Sequence, residues 1–155
     1  MKANKAIIIC GTGRNVGKTL YAQKIINKYS SENPIAIKIS SHFHTHKYEM
    51  KEIEVNDSFK IWQELNSEGN TDSSRMLQSG AKEVYYIESK DEFLPSVINV
   101  LDKIINFDDR IIIESAAIRR YIEPYEFVLV YSDEYPKIKS SMKEIESLIT
   151  SKVKL

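Results

Sequence analysis

A glycine-rich stretch, residues 11–19, most constrains what this chain can fold into. It reads Gly-Thr-Gly-Arg-Asn-Val-Gly-Lys-Thr, follows the apolar run 6–10 and opens the helix-like segment 20–26. Small residues let successive backbone amides turn toward an anion, and a helix N-terminus adds partial positive charge. A lysine and a threonine at the end of such a loop reach phosphate oxygens and Mg²⁺. The stretch therefore predicts a phosphate-binding loop rather than a glycine-rich turn before an ordinary helix.

One position departs from the usual phosphate-loop pattern, G-x-x-x-x-G-K-[ST]. Thr12 stands where that pattern has its first glycine, and Gly11 comes one residue early. We expect the nucleotide to be bound by Gly13, Arg14, Asn15, Val16, Gly17, Lys18, Thr19 and Leu20.

Five short apolar runs predict buried strands at 5–10, 34–39, 84–88, 110–114 and 127–131. Their nearly continuous hydrophobicity is typical of a sheet covered on both faces. Helical patterns intervene at 17–29, 72–78 and 91–105, and an amphipathic pattern predicts a C-terminal helix at 137–150. Pro95 fits only the first turn of its helix. This alternation predicts an α/β fold of the P-loop NTPase type, a single domain over residues 1–155 with a mostly parallel sheet of about five strands.

Residues 51–65 break the alternation. Two stretches of alternating polar and apolar residues flank the turn residues Asn56-Asp57-Ser58, which predicts a β-hairpin inserted into the fold and projecting from the sheet.

Charge and cysteine content narrow the class of protein. The 155 residues carry no formal net charge, and this balance argues neither for nor against a membrane or nucleic-acid partner. We expect neither partner. The residues before Glu32 are free of acidic side chains and include five lysines and one arginine, which favours anion binding at that end of the fold. Cys10, the one cysteine, ends an apolar run and is interpreted as buried packing. No targeting or membrane-spanning pattern is apparent, so we expect a cytoplasmic protein.

Two acidic positions are candidates for organising Mg²⁺ and water. Glu114 follows a buried run at the carboxyl end of a strand, where open α/β sheets place ligands. Thr71 and Asp72 suit a helix N-cap, and a functional interpretation adds Asp72 at the metal and Arg75 at phosphate oxygens. Both interpretations of Asp72 stay open. The candidate metal ligands are Thr19, Asp72 and Glu114, and the candidate catalytic residues are Lys18, Asp72 and Glu114.

Two further segments have open roles. His42, His44 and His46 alternate along the chain, which suits either a metal site or loop histidines with polar contacts to a ligand. The segment 132–137 follows the last predicted strand and suits either contact with a nucleotide base or ordinary turn chemistry.

These motifs together resemble known families. Residues 11–19 are similar to the loop of dethiobiotin synthetase and its relatives, which runs Gly-Thr, three variable residues, then Val-Gly-Lys-Thr. Residues 37–44, 71–81 and 113–115 resemble, in order and spacing, motifs of the MobB family of GTP-binding accessory proteins in molybdopterin-guanine dinucleotide biosynthesis.

The resemblance implies a Mg²⁺-dependent protein that binds GTP or ATP, hydrolyses it slowly and forms a homodimer, with an accessory role toward a partner protein. It also strengthens the roles of Asp72, Arg75 and Glu114. One alternative is a small-molecule ligase or kinase of the dethiobiotin synthetase type, in which the hairpin and residues 42–46 form an acceptor pocket. Another is a non-catalytic scaffold with a nucleotide-binding fold.

Overall fold

The fold is an open, mixed β-sheet with helices on both faces. The computed structural model describes residues 1–44 and 49–155. Its described residues form the strands β1 (Lys2–Gly11), β2 (Ile35–Ser40), β3 (Lys51–Val55), β4 (Phe59–Glu64), β5 (Glu83–Ser89), β6 (Ile111–Glu114), β7 (Glu123–Tyr131) and β8 (Ser151–Lys154). They also form the helices α1 (Lys18–Lys28), α2 (Asp72–Gln78) and α3 (Leu94–Leu101). Short 3-10 segments lie at Ser30–Glu32, Asp91–Phe93, Ala117–Arg120 and Ser140–Leu148.

The strand order is β3-β4-β5-β2-β6-β1-β7-β8. The strands from β5 to β8 in that order all run parallel, whereas β4 pairs antiparallel with β5 and with β3. After β1 and α1, the chain enters β2, which does not pair with β1. The later strand β6 lies between β2 and β1 and pairs with both. Because the carboxyl ends of parallel strands meet at one edge, the residues after β1, β2 and β6 lie together there.

The core has two layers, one on each face of the sheet. Residues of α1 and α2, such as Ala22, Ile26 and Met76, pack on the face that carries Ile7, Ile9 and Ile112. On the other face, α3 and the three 3-10 segments after β5 pack on Ile8, Ile37 and Ile113, among others. This covering of both faces explains the continuous apolar runs of the parallel strands. It also places α1 and α2 on the same face, with their N-termini toward the site.

The prediction of an α/β sheet is confirmed, but the expected strand count is wrong. The five predicted strands correspond to β1, β2, β5, β6 and β7, and the sheet has eight strands in the described residues. The hairpin is present as β3 and β4, yet it does not project from the sheet. Its second strand pairs with β5 from Phe59 to Glu64 and so extends the sheet at one edge. The buried side chains Phe59 and Ile61 of β4 join the core, which explains why the hairpin lies flat against its neighbour.

The predicted C-terminal helix at 137–150 is also wrong. The chain forms the 3-10 segment Ser140–Leu148 and then β8, which pairs parallel with β7. Met142 and Ile145 are the buried residues of that segment, and their spacing of three residues fits a 3-10 turn as well as an α-helix. The turn ends where Thr150 bonds Phe127 through both its amide and its hydroxyl, and this anchors the start of β8.

The other helix predictions are confirmed in position. α2 spans Asp72–Gln78 as predicted, with the Thr71 hydroxyl accepting a hydrogen bond from the Ser74 amide at 3.2 Å. The predicted helix 91–105 is shorter, since a 3-10 turn precedes α3 and α3 ends at Leu101; Pro95 lies in its first turn. Among the described residues, no helix combines the length and the apolar character that crossing a membrane requires.

Candidate functional site

The glycine-rich loop, residues 11–19, connects β1 to α1 in a tight curve. Asn15 and Gly17 both adopt left-handed backbone conformations, with φ of 59° and 99°, and Gly17 caps α1. Gly11 is required for a different reason, because a Cβ there would lie 2.6 Å from Cδ of Lys18. The early glycine of the sequence pattern therefore makes room for the Lys18 side chain to lie across the end of β1.

Thr12 and the segment 132–137 fix the other side of the loop. The Thr12 amide donates to the Val130 carbonyl at 3.1 Å, and its hydroxyl donates to the Tyr135 carbonyl at 2.5 Å. The Tyr135 ring lies against Gly13, where an added Cβ would be 2.7 Å from the ring. Thr12 thus replaces the usual glycine with a side chain that ties the loop to the segment after β7.

The backbone amides of residues 13–19 are the most informative polar groups of the loop. Within the described parts of the chain, none of these amides donates a hydrogen bond, and the first such bond at the helix start runs from the Tyr21 amide to the Gly17 carbonyl at 2.9 Å. Gly13 and Val16 are nonetheless buried. Unpaired amides in a partly buried loop are costly unless an acceptor meets them, and an anion at a helix N-terminus is such an acceptor.

Lys38 joins the two predicted carboxylates of the site. Its ammonium lies 2.9 Å from Oε1 of Glu114 and 3.0 Å from Oδ2 of Asp72. The Thr19 hydroxyl donates to Oε2 of Glu114 at 3.1 Å. The predicted residues Thr19, Asp72 and Glu114 therefore come together at the sheet edge, around a lysine that sequence reasoning missed.

The position of Lys38 follows from strand register. Lys38 of β2 is the parallel partner of Glu114 in β6, so both side chains project from the same face, toward α1 and α2. The available sequence signals were a lysine inside the apolar run Ile35-Ala36-Ile37-Lys38-Ile39 and the place of that lysine in the motif-like stretch 37–44. Burial lowers the pKa of Lys38, but Glu114 and Asp72 outweigh that effect and raise the pKa above its ordinary value. Lys38 is therefore a fixed cation.

Lys18 is in a different electrostatic state. It makes no hydrogen bond or ion pair with any residue that the structure describes. Burial lowers the pKa of Lys18, Glu114 opposes this, and the nearby cations Lys38 and Lys139 lower it further. An added anion would relieve the repulsion among these cations.

A cavity of about 450 Å³, here called the loop-face cavity, collects most of the predicted site residues. It is lined by Arg14, Asn15, Gly17, Lys18, Thr19, Leu20, Lys38, Asp72, Arg75 and Glu114. Of the other predicted binding residues, Val16 packs its side chain into the core and Gly13 lies against Tyr135, and neither lines this cavity.

Two further cavities adjoin the loop-face cavity and share Lys38 with it. The hairpin cavity, about 470 Å³, lies between the hairpin and α2 and includes Glu64, Thr71, Asp72, Ser73 and Tyr86 in its lining. The basic cavity, about 350 Å³, lies on the side of Cys10 and Met142, which belong to the core of the α3 face. Its charged lining residues are Arg14, Lys18, Lys38, Asp91, Glu114, Arg120 and Lys139.

The histidines divide between these cavities. His42 lines the basic cavity and His44 lines the hairpin cavity, where its amide donates to Oε2 of Glu88 at 3.1 Å. His46 lies outside the described residues, so the predicted histidine metal site stays a prediction. Among the residues that the structure describes, no cluster of three or more histidine, cysteine or acidic side chains has a metal-binding arrangement.

The donor set at the loop fits Mg²⁺ in its chemistry. The Thr19 hydroxyl and the carboxylates of Glu114 and Asp72 are hard oxygen ligands, and Mg²⁺ is usually held by one or two carboxylates together with substrate phosphates. The half-buried Lys38 ammonium already lies between the two carboxylates, which shows that this position favours positive charge.

Comparisons with models of protein families, with curated proteins and with solved structures found no match to this chain. Its function is therefore inferred from the residues and geometry of the site.

Proposed function

We propose that this chain is a Mg²⁺-dependent P-loop protein that binds a purine nucleotide, GTP or ATP, and hydrolyses it slowly. The observation that carries the proposal is the set of amides at residues 13–19, which have no hydrogen-bond acceptor among the described residues and curve around the start of α1 beside Lys18. These groups suit phosphate oxygens because they combine several N–H donors, a helix N-terminus and a cation without an ion pair in the described chain.

The roles of the side chains follow from their positions. Lys18 would donate to the β- and γ-phosphates, and Arg14 and Arg75 line the same cavity with guanidinium groups for phosphate oxygens. Thr19, Glu114 and Asp72 would hold Mg²⁺, which supplies charge neutralisation at the phosphates. Glu114 is buried and hydrogen-bonded, so its carboxylate is held in position to orient a water molecule.

Slow hydrolysis follows from what surrounds the phosphate position. Positioning and charge stabilisation dominate phosphoryl transfer, and rapid hydrolysis commonly needs an arginine directed at the transferring group. Arg14 and Arg75 are both exposed, and neither makes an ion pair within the described residues, so neither is fixed in place. The MobB-like accessory role, with a homodimer and a partner protein, belongs to this proposal through the motif resemblance alone.

A second candidate is a small-molecule ligase or kinase of the dethiobiotin synthetase type. The observation that favours it is the pair of cavities that adjoin the loop-face cavity and share Lys38 with it. An acceptor bound in either cavity would lie next to the phosphate position. Acceptor-stimulated consumption of nucleotide would favour this candidate over the simple NTPase.

The decisive experiment is calorimetry with GTP and with ATP, each with and without Mg²⁺, on wild-type protein and on the Lys18→Ala variant. We expect Lys18→Ala to weaken nucleotide binding roughly 100-fold, because it removes a charge-assisted contact to phosphate from a partly buried site. Lys24→Ala, on the exposed side of the same helix, is the matched control and should bind as wild type does. Equal affinity of Lys18→Ala and wild-type protein would show that the proposal is wrong.

A further inference from the structure

The basic cavity differs from an ordinary charged surface because its cations come from separate segments and converge. Arg14 and Lys18 belong to the glycine-rich loop, Arg120 to the 3-10 segment Ala117–Arg120, and Lys139 precedes the 3-10 segment Ser140–Leu148. The parallel sheet brings the loops after β1, β6 and β7 to one edge, so these side chains meet there although they are far apart in sequence.

The cations of this cavity are only partly neutralised. Lys38 is paired with Glu114 and Asp72, and Arg120 contacts Glu144, the Ser141 carbonyl at 3.1 Å and, at 4.0 Å, Asp91. Arg14, Lys18 and Lys139 make no ion pair with a described residue. The lysines at 18 and 139 are close enough to repel each other, so the cavity keeps an excess of positive charge.

Hydroxyl groups complete the lining. Ser40, Ser41, Ser89, Ser115 and Ser141 all border the cavity. The Ser115 hydroxyl accepts a hydrogen bond from the Ile118 amide at 3.4 Å, which leaves its proton free to be donated. Lysine, arginine and serine together form the donor set that recognises phosphate and carboxylate groups.

Building on the proposed nucleotide site, we propose that the basic cavity binds a second, anionic small molecule through a phosphate or carboxylate group, with Lys139 as a ligand that the nucleotide does not use. The cavity volume of about 350 Å³ is in the range of small-molecule pockets. Lys139 lines this cavity but not the loop-face cavity, whereas Lys18 lines both. The second ligand would therefore lie on the far side of Lys18 from α1, next to the phosphate end of the nucleotide.

The test is a calorimetric titration of inorganic phosphate, and separately of citrate, into protein saturated with Mg²⁺ and a non-hydrolysable nucleotide. We compare wild-type protein with Lys139→Gln and with Lys143→Gln, a matched control that removes the same charge from an exposed side chain outside the cavity. We expect wild-type and Lys143→Gln protein to bind an anion alike, and Lys139→Gln to bind it about fivefold more weakly with unchanged nucleotide affinity. The better-bound anion identifies the phosphate or the carboxylate class.

Three results would overturn the inference. Loss of anion binding when nucleotide saturates the protein would make the basic cavity part of the nucleotide site. If Lys139→Gln and Lys143→Gln weakened anion binding equally, the effect would come from the net charge of the protein and not from contact with Lys139. If neither phosphate nor citrate bound, the basic cavity would not be an anion site. If the protein binds no nucleotide, the proposed function is wrong, but the anion site in the basic cavity is still testable. The same titrations on nucleotide-free protein then decide this inference, since anion binding must still depend on Lys139.

Discussion

The basic cavity and the hairpin cavity share Lys38, but their polar groups are in opposite states. In the hairpin cavity, Glu64 accepts hydrogen bonds from the hydroxyls of Thr71 and Ser73 at 3.2 and 2.8 Å. In the basic cavity, Lys18 and Lys139 have no comparable partner within the described residues. Buried polar groups that a fold satisfies internally stabilise that fold, whereas converging donors without partners are suited to a ligand. The comparison makes Glu64 a structural residue. Glu114 is also hydrogen-bonded, but it lines the loop-face cavity together with Lys18, which has no ion pair with a described residue.

The largest effect is expected from Glu64→Ala. The substitution removes a carboxylate that is only 6% exposed and that accepts from two hydroxyls and from the Asn66 amide at 3.4 Å. We expect the free energy of unfolding to fall by about 3 kcal/mol, while the nucleotide affinity of the folded protein stays within roughly twofold. Urea unfolding and calorimetry measure the two quantities. Glu54→Ala, exposed on the same hairpin, is the control and should change neither.

The structural role of Glu64 would be wrong if the Glu64→Ala protein were as stable as wild type but no longer bound nucleotide. Glu64 would then act on the ligand, and the hairpin cavity would belong to the nucleotide site.

Much of this fold could be predicted because its parallel strands are buried on both faces. β1, β2, β5, β6 and β7 each contain a short, nearly continuous apolar run, and the shortness and β-branched content of these runs favour a strand over a helix. β8 could not be found in this way. Its four residues, Ser-Lys-Val-Lys, become a strand only because β7 offers an unpaired edge. The apolar spacing before β8 fits an α-helix and a 3-10 turn equally well, so local pattern alone misassigned it.

The site was predictable to the extent that it lies in one loop. Residues 11–19 carry their chemistry in sequence order, and Glu114 and Asp72 each begin or end an element whose position the pattern reveals. Lys38 falls within the motif-like stretch 37–44 but was not assigned a role there, and Lys139 lies outside any motif. Their importance depends on register between β2 and β6 and on the return of the chain after β7, and both are properties of the tertiary fold.

The second prediction concerns the two carboxylates that contact the Lys38 ammonium, those of Glu114 and Asp72, which differ in exposure to solvent. Glu114 is 5% exposed and also accepts from Thr19, whereas Asp72 is 42% exposed. We expect Glu114→Gln to reduce the Mg²⁺-dependent gain in nucleotide affinity by about 30-fold, and Asp72→Asn by only about threefold because water screens its charge. Calorimetry with and without Mg²⁺ measures both. Equal losses would show that burial does not distinguish the two carboxylates.

The smallest expected effect is on the pH dependence of stability. It involves Cys10, beside the basic cavity, and Tyr86, beside the hairpin cavity, which burial keeps neutral. Burial raises the pKa of the Cys10 thiol, beside the basic cavity, from 9.0 to about 12, although Lys18 opposes the shift; burial also raises the pKa of Tyr86, beside the hairpin cavity. At a pH between 9.0 and about 12, Cys10 loses its proton in the unfolded chain but keeps it in the folded chain. The folded state then binds more protons, so stability must fall as pH rises through this window. We expect Cys10 to account for a loss of about 1.4 kcal/mol between about pH 8 and about pH 10.

The Cys10→Ala variant isolates that contribution. Cys10 is 1% exposed and donates to the Val128 carbonyl at 3.4 Å, so its removal costs some packing at every pH, and only the slope of stability against pH reports the ionisation. Urea unfolding of both proteins across this range should give a shallower decline for Cys10→Ala. The decline that persists in the variant then belongs to other groups, and Tyr86 contributes to it chiefly above its ordinary pKa of 10.0. Parallel profiles would mean that the thiol ionises as readily in the folded chain as in the unfolded one. The end of β1 would then be open to water, and the partly buried anion site proposed above it would lose the desolvation that strengthens its charges.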